Sequence, residues 1–434
     1  MLDIKFLKEN KNVATKGIKN KGCTVNLSNV INSYDKMLVL QKEVEELRAN
    51  LNIISKKIKK GADKQLIKEA KIIKLRIQKK EPQYVKAKEE FDSLMSQIPN
   101  IPSDDTPIGT DESANKVLRT YGEKKTYSFT PRPHWEIAEE LDIIDKKSAA
   151  KISGSRFAFI KNELTLLQFG IIQYTFEILT NEQVIKKIIK KNNLNVSSKT
   201  FIPVLPPSIA RKETYQAMAR LQPEEDKYKL EGDEEQYLAG SAEHTLGALH
   251  INQTFQENDL PLRYAGYSTC FRKEAGTYGK DTRGIYRMHQ FDKIEMETFT
   301  VKENGLEEHK FLVAIQEHLL QGLELHYQVV AISTGDMGSP DYKQVDMETW
   351  MPGQDRYGET HSADYVTDYQ PRRLKTYVTR TDGKKELVHM NDATAFAIGR
   401  LLIAIIEQNQ TADGSVTIPK ALRKYTNGIK SIKR

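Results

Sequence analysis

The segment Cys270-Phe271-Arg272-Lys273-Glu274, followed after a glycine-rich interval by His289-Gln290-Phe291-Asp292-Lys293-Ile294-Glu295, concentrates the chemically useful side chains of this chain. Arg272 offers a rigid guanidinium fork suited to a phosphate or carboxylate, Phe271 offers a face on which a base can stack, and Glu274 and Glu295 can accept from amino groups. These are the parts of a nucleotide site. Gly276, Gly279 and Gly284 punctuate the interval, and polar and apolar residues alternate again from His289. Two strands joined by a long basic loop are therefore predicted to carry the site.

The elements that must position these residues form a mixed pattern from about residue 111. Helices are predicted at 134–150, 162–182, 206–222, 303–326 and 393–410, and strands near 157–161, 263–272, 285–300, 328–334, 343–351, 362–367 and 371–380. Consecutive strands with helices to one side predict an α+β domain built on an antiparallel sheet. Neither G-x-x-x-x-G-K-[ST] nor G-x-G-x-x-G occurs, which removes the commonest nucleotide folds from first consideration.

The first hundred residues differ in kind. Met37, Leu40, Val44, Leu47, Leu51, Ile54 and Ile58 alternate spacings of three and four, the narrow stripe of a heptad helix. After Gly61 a second stripe runs through Ala70, Ile73, Ile77, Tyr84, Ala87, Phe91, Leu94 and Ile98, with Lys80 at the seam position lacking an apolar residue. An antiparallel helical hairpin about 45 Å long follows from the 1.5 Å rise per residue, with a kink expected at Pro82. Residues 1–100 carry 22 Lys and Arg against 12 Asp and Glu, whereas the rest carries 44 against 47. A basic arm bearing Lys56, Lys60, Lys64, Lys71, Arg76 and their neighbours predicts an anionic partner such as a nucleic-acid backbone. The Pro-, Asp- and Gly-rich run from Ile98 to Gly109 reads as a linker, giving domains 1–110 and 111–434.

At 434 residues, 38% hydrophobic and 29% charged, the composition predicts a soluble multidomain protein. Cys23 and Cys270 match no metal or disulfide framework, and no apolar run reaches membrane length, so a cytoplasmic, membrane-free protein is expected.

Three separated segments resemble the signature motifs of class II aminoacyl-tRNA synthetases. Phe201-Ile202-Pro203-Val204-Leu205-Pro206-Pro207-Ser208 with Arg211-Lys212-Glu213 resembles motif 1, Phe271-Arg272-Lys273-Glu274 through Glu295 resembles motif 2, and Ala397-Ile398-Gly399-Arg400 resembles motif 3. Within that class the chain is similar to seryl-tRNA synthetases along essentially its whole length. The helical hairpin, Ser241-Ala242-Glu243, Gly335-Asp336-Met337-Gly338, Glu359-Thr360-His361-Ser362 and Gln370-Pro371-Arg372-Arg373 carry this narrower likeness.

The resemblance implies a homodimeric serine–tRNA ligase that uses ATP and Mg²⁺. L-serine becomes seryl adenylate, and the seryl group then passes to the 3′ end of serine tRNA, with selenocysteine tRNA as a second candidate. It further implies that the hairpin grips the tRNA's long variable arm while the catalytic domain receives the acceptor end. Arg272 would hold the α-phosphate and the serine carboxylate, Glu274 the adenine amino group, and Arg400 the γ-phosphate, these three being the catalytic set. Phe291 would stack on the adenine, and Lys273, Met288, Thr360 and His361 would complete the ATP site. Glu359 and Ser362 would bring Mg²⁺ to the phosphates. Glu243 and Glu295 would hold the serine ammonium and hydroxyl, with Ser241, Ala242 and Thr394 closing the pocket.

Two departures from the family pattern fall in that pocket. Ser241 stands where threonine is common, and Asp392-Ala393-Thr394 replaces the frequent Asn-Gly-Thr or Asn-Gly-Ser. Ala363-Asp364 after the Glu359 cluster is a further difference. A paralogue that loads serine or a related amino acid onto a non-tRNA acceptor is the alternative, opposed by the intact basic hairpin. A non-catalytic RNA-binding protein is opposed by the complete set Arg272, Glu274, Glu295, Glu359 and Arg400.

Overall fold

The computed structural model describes residues 1–61, 63–275 and 283–434, so Gly276 and Gly279 of the glycine-rich interval lie outside the described residues. The chain forms two compact units, Met1–Ile101 and Pro102–Arg434. The boundary falls at Ile101 rather than at residue 110. Ser103 N donates to Tyr342 O at 2.8 Å and Gly109 N to Thr334 Oγ1 at 3.2 Å, which ties the expected linker to the second unit.

In the first unit two short helices, α1 (Ile4–Glu9) and α2 (Lys11–Asn20), precede the hairpin of α3 (Leu27–Lys60) and α4 (Lys64–Ser96). Asn26 and Asp63 cap the two long helices, their side chains accepting from Ser28 N and Gln65 N. The 34 residues of α3 span about 50 Å, close to the expected length. Met37, Val44, Ile54, Ile73 and Ala87 of the two stripes are buried. Lys80 meets Glu43 at 2.7 Å, so the gap in the stripe is filled by an ion pair across the hairpin. Helix α4 continues through Pro82 to Ser96, so the proline does not end it. Of the basic residues on α3 and α4, Lys56, Lys60, Lys64, Lys71 and Arg76 are all exposed.

The second unit is organised by an eight-stranded sheet. In chain order its strands are β1 (Lys116–Tyr121), β2 (Ile202–Val204), β3 (Leu262–Phe271), β4 (Gln290–Thr300), β5 (Tyr327–Ala331), β6 (Lys343–Met351), β7 (Arg356–Thr367) and β8 (His389–Ala397). They lie in the order β1-β5-β6-β7-β8-β4-β3-β2. Every pair is antiparallel except β2 with β3. The helices are α5 (His134–Glu140), α6 (Lys146–Ser153), α7 (Asn162–Leu179), α8 (Glu182–Lys191), α9 (Lys212–Ala217), α10 (Glu243–Leu246), α11 (Gly305–Gly322), α12 (Tyr369–Leu374) and α13 (Ile398–Gln408). Leu164 and Ile171 of α7, Phe311 and Ile315 of α11, and Leu401 and Ile405 of α13 are buried against one sheet face with Ile294, Met296, Met347 and Ala393.

Several elements differ from the prediction: β1 and β2 lie where no strand was expected, and the helix expected over 206–222 is confined to α9. Residues 393–397 belong to β8 rather than to the following helix, because the small side chains Ala393 and Ala395 fit beneath the packed helices as strand residues. The segment 371–380, expected as strand, begins inside α12 and reaches extended structure only at Tyr377–Thr379.

The sheet opens at one place, and the opening makes the site. Strands β7 and β8 pair from Thr367↔Met390 to Ala363↔Ala393, and the next rung, Ser362 with Thr394, is not paired. The buried amide of Gln316 on α11 donates to both freed carbonyls, Ser362 O at 2.7 Å and Thr394 O at 2.8 Å. An unpaired buried carbonyl is expensive, so one side chain lets the strands part without leaving two acceptors orphaned. Replacing Gln316 with leucine should lower the stability of the second unit by about 2–4 kcal/mol, read from urea unfolding of the full chain. Unchanged stability would mean that the carbonyls find other donors.

Candidate active site

Strand β3 delivers Arg272 just past its end. The guanidinium Nε donates to Gly240 O at 3.0 Å and the group lies 5.4 Å from the ring centre of Phe291 on β4. Glu274 takes a left-handed backbone, φ 52°, and its carboxylate accepts from Arg287 Nη1 at 3.2 Å. Both side chains line a cavity of about 360 Å³, together with Met288 and Phe291.

Strand β7 supplies the opposite wall. A strand sends alternate residues to opposite faces, so Glu359 and Ser362, three apart, could not share one without an irregularity. The register against β6 shifts between Met347↔His361 and Glu348↔Glu359, and that bulge brings both into the cavity. The helix α13 opens with Ile398-Gly399-Arg400, where the positive end of the helix dipole disfavours an arginine. Arg400 Nη1 meets Glu359 Oε1 at 3.1 Å and the Glu359 carbonyl at 3.1 Å, while its guanidinium lies 4.6 Å from the ring centre of Tyr286. Desolvation works to raise the Glu359 carboxyl, yet Arg400 holds it below its usual range. Glu359 and Ser362 are a carboxylate and a hydroxyl on one wall, oxygen donors of the kind Mg²⁺ takes beside phosphate oxygens.

The third wall is the pair β4 and β8. Glu295 faces Thr394 across the ladder, and Ser241 Oγ donates to Glu295 Oε1 at 2.7 Å while Thr394 Oγ1 approaches it at 3.4 Å. Lys293 forms an ion pair with the same carboxylate. Glu243, opening α10, is buried and meets Arg220 Nε at 2.6 Å. Burial works to raise its carboxyl, but Arg220, with further help from nearby cations, brings it down to about 2.

Arg272, Glu274, Met288, Phe291, Glu359, Thr360, Ser362, Arg400, Glu243 and Thr394 thus meet around one cavity, with Ser241 and Glu295 directly behind Thr394 and Lys293. Besides Ser241 and Glu295, three residues expected in the site do not line it. Lys273 is exposed, its ammonium 5.6 Å from the ring centre of Tyr228. His361 points to the core side, 5.1 Å from the Phe396 ring, because strand alternation turns it away from the face that carries Ser362. Ala242 is buried and packs with Leu246 and Met218. Residues the sequence did not single out also enter, notably Arg220, Tyr286 and Gln316. Arg220 has no periodic or motif signal, and only its partners in space reveal it.

A buried relay sets the far end of the glycine-rich interval. His134 Nδ1 bonds Glu407 Oε1 at 2.9 Å and Nε2 accepts from Ile285 N at 3.2 Å, fixing the backbone that carries Tyr286 and Met288. Gly284 has φ +68°, and a Cβ there would collide with the His134 ring.

This geometry agrees with comparison to known proteins. Residues 227–409 match the tRNA synthetase class II core domain (G, H, P, S and T), so the fold of the second unit is that of a class II aminoacyl-tRNA synthetase. Residues 1–102 match the seryl-tRNA synthetase N-terminal domain. The serine–tRNA ligase of Dictyoglomus turgidum is 38% identical over 441 residues, covering 100% of this chain and 99% of the relative. Seryl-tRNA synthetase from Pyrococcus horikoshii, solved with ATP, superposes with a TM-score of 0.86 at 34% identity, over 100% of this chain and 99% of that one. The cytoplasmic serine–tRNA ligase of Naegleria fowleri, solved with AMP, gives 0.82 at 28% identity, over 100% and 99%. The chain belongs to the seryl-tRNA synthetase family, the serine–tRNA ligases.

Gly284→Ala should slow adenylate formation by about 100-fold through misplacement of Tyr286 and Met288. Amino-acid-dependent pyrophosphate exchange on folded protein checks this, and a rate near that of the parent would remove the His134 relay from the account.

Proposed function

We propose that the cavity bounded by Arg272, Glu359 and Arg400 is where ATP and serine react, with the nucleotide along β4 and α13 and the amino acid over Glu295. The convergence of three distant segments on one cavity supports this reading. Arg272 neutralises charge on the α-phosphate and the serine carboxylate, so the carboxylate oxygen can attack phosphorus as pyrophosphate departs. Glu274 accepts from the adenine amino group and Phe291 supports the ring. Arg400 reaches the γ-phosphate, for which it must loosen its hold on Glu359. Glu359 and Ser362 would hold Mg²⁺, which supplies charge neutralisation to the phosphates when bound.

For the amino acid, Glu243 takes the ammonium and Glu295, backed by Ser241 and Thr394, takes the hydroxyl. A pocket built to bond a hydroxyl rejects alanine, because Glu295 would be left short of a donor. The first unit binds the tRNA's long variable arm through its exposed lysines, and the acceptor end enters the cavity of the second. Homodimerisation through the motif 1 region is supported by apolar side chains left exposed there, Leu205 at 79% and Ile202 at 46%. No helix among the described residues is long and apolar enough to cross a membrane, which fits a cytoplasmic enzyme.

Serine-dependent exchange of labelled pyrophosphate into ATP tests the first half-reaction; exchange only with another amino acid overturns it. Arg272→Ala should abolish exchange and leave tRNA affinity nearly intact. Neutralising Lys56, Lys60, Lys64 and Lys71 should do the reverse and lower the salt slope of tRNA binding by roughly 0.7–0.9 for each phosphate that no longer meets a lysine. A tRNA affinity indifferent to those lysines would instead favour a carrier-loading paralogue.

A further inference from the structure

The amino-acid pocket holds more carboxylates than serine can use. Strands β4 and β8 set Glu295 opposite Thr394 and, one step further along the same face, Glu297 opposite Asp392. The two rungs are roughly 7 Å apart. The first is the pocket proposed for serine. On the second, both carboxyl oxygens of Glu297 and Oδ1 of Asp392 are buried without a hydrogen-bond partner. Asp364 on β7 and Asp341 approach the same point.

Into this ring reaches the guanidinium of Arg220. Its Nε lies 2.6 Å from Glu243, and its Nη2 lies 3.5 Å from Asp341, 3.6 Å from Asp364 and 3.7 Å from Asp392. Gly338 leaves the necessary space, since a Cβ there would stand 3.0 Å from Arg220 Nη1 and closer still to Asp341. An arginine stays protonated at any working pH, so the ring always contains one cation. One cation does not balance this many carboxylates. Burial, reinforced by neighbouring carboxylates, pushes Asp392 and Glu297 well above the usual range. Groups held as neutral acids for want of a counter-charge would ionise around a second ammonium.

The geometry points to Arg220 as the specificity-determining residue of the amino-acid pocket: its guanidinium plugs a carboxylate-lined extension beyond the serine hydroxyl and so excludes amino acids that carry a second ammonium. This rests on the reading of Ser241, Glu295 and Thr394 as the serine pocket. Removing the plug leaves a ring of acids beyond the serine hydroxyl. Short diamino acids bring the matching charge: the second ammonium of 2,3-diaminopropionate falls at the serine hydroxyl position, at the mouth of the ring, and that of 2,4-diaminobutyrate reaches one methylene further into it.

Pyrophosphate exchange with L-serine and with each diamino acid, on the full chain and on Arg220→Ala, tests the assignment. The parent should use serine and neither diamino acid. In Arg220→Ala the ratio of kcat/KM for a diamino acid over serine should rise by roughly 100-fold. Added methylguanidinium, refilling the ring, should restore serine preference, which a merely structural role would not allow. Should Arg220→Ala fail to fold, Arg220→Gln with Asp392→Asn, which removes the cation together with one of the acids it faces, carries the same test and the same outcomes. A parent that activates a diamino acid, or variants that lose all three substrates in proportion, overturn the plug. Glu295→Gln run in parallel separates the two readings: serine exchange unchanged in that variant defeats the pocket placement itself, whereas its loss without any specificity shift in the Arg220 variants defeats only the plug.

Discussion

Two hydrogen bonds from one buried amide allow the catalytic unit to have a cavity at all. Where β7 and β8 stop pairing, Gln316 gives its amide hydrogens to Ser362 O and Thr394 O, each a carbonyl the sheet has released. The strands diverge from there without an orphaned acceptor. The walls they form then carry Glu359 and Ser362 on one side and Thr394 on the other. A continuous ladder would have closed the space between the proposed nucleotide and amino-acid positions.

Strand alternation does the remaining sorting. Ile294 and Met296, with Ala393 and Ala395, lie beneath the helices, so Glu295, Glu297, Asp392 and Thr394 must face the other way. Burying charge is tolerable there because the opposing cations come from separate elements, Arg220 ahead of α10, Lys293 on β4 and Arg400 on α13. The bulge in β7 interrupts alternation where it would have hidden a proposed metal ligand, Glu359.

How legible this was in the sequence varied with the range of the interaction. The hairpin could be read nearly residue by residue, since a heptad stripe is a local pattern and Met37, Val44, Ile73 and Ala87 are buried where the spacing put them. The strand β6 was expected over the residues it occupies. Strand β8 was not expected at all: residues 389–392 carried no assignment, and 393–397 went to the helix that follows because alanines at 393, 395 and 397 are good helix formers, which only the packed helices overhead make strand residues. In the site, Arg272, Glu274, Glu359 and Arg400 were marked by their motifs and meet as expected. His361 was assigned with its neighbours, but alternation from Ser362 turns it to the core, and no local signal announces the bulge that brings Glu359 to the cavity face. Arg220 was invisible for a simpler reason: its four carboxylates come from four places in the chain.

The Lys80–Glu43 pair in the hairpin has a meaning beyond its small energy. A uniform apolar seam would tolerate sliding by a heptad, since each layer would meet another like it. Sliding these two helices by seven residues would carry the ammonium from Glu43 to Lys36 or Asn50 and leave Glu43 without its partner. The polar layer therefore acts as an index mark that holds the arm to a single alignment, and the spacing of its surface charges becomes a fixed ruler along any backbone laid against it.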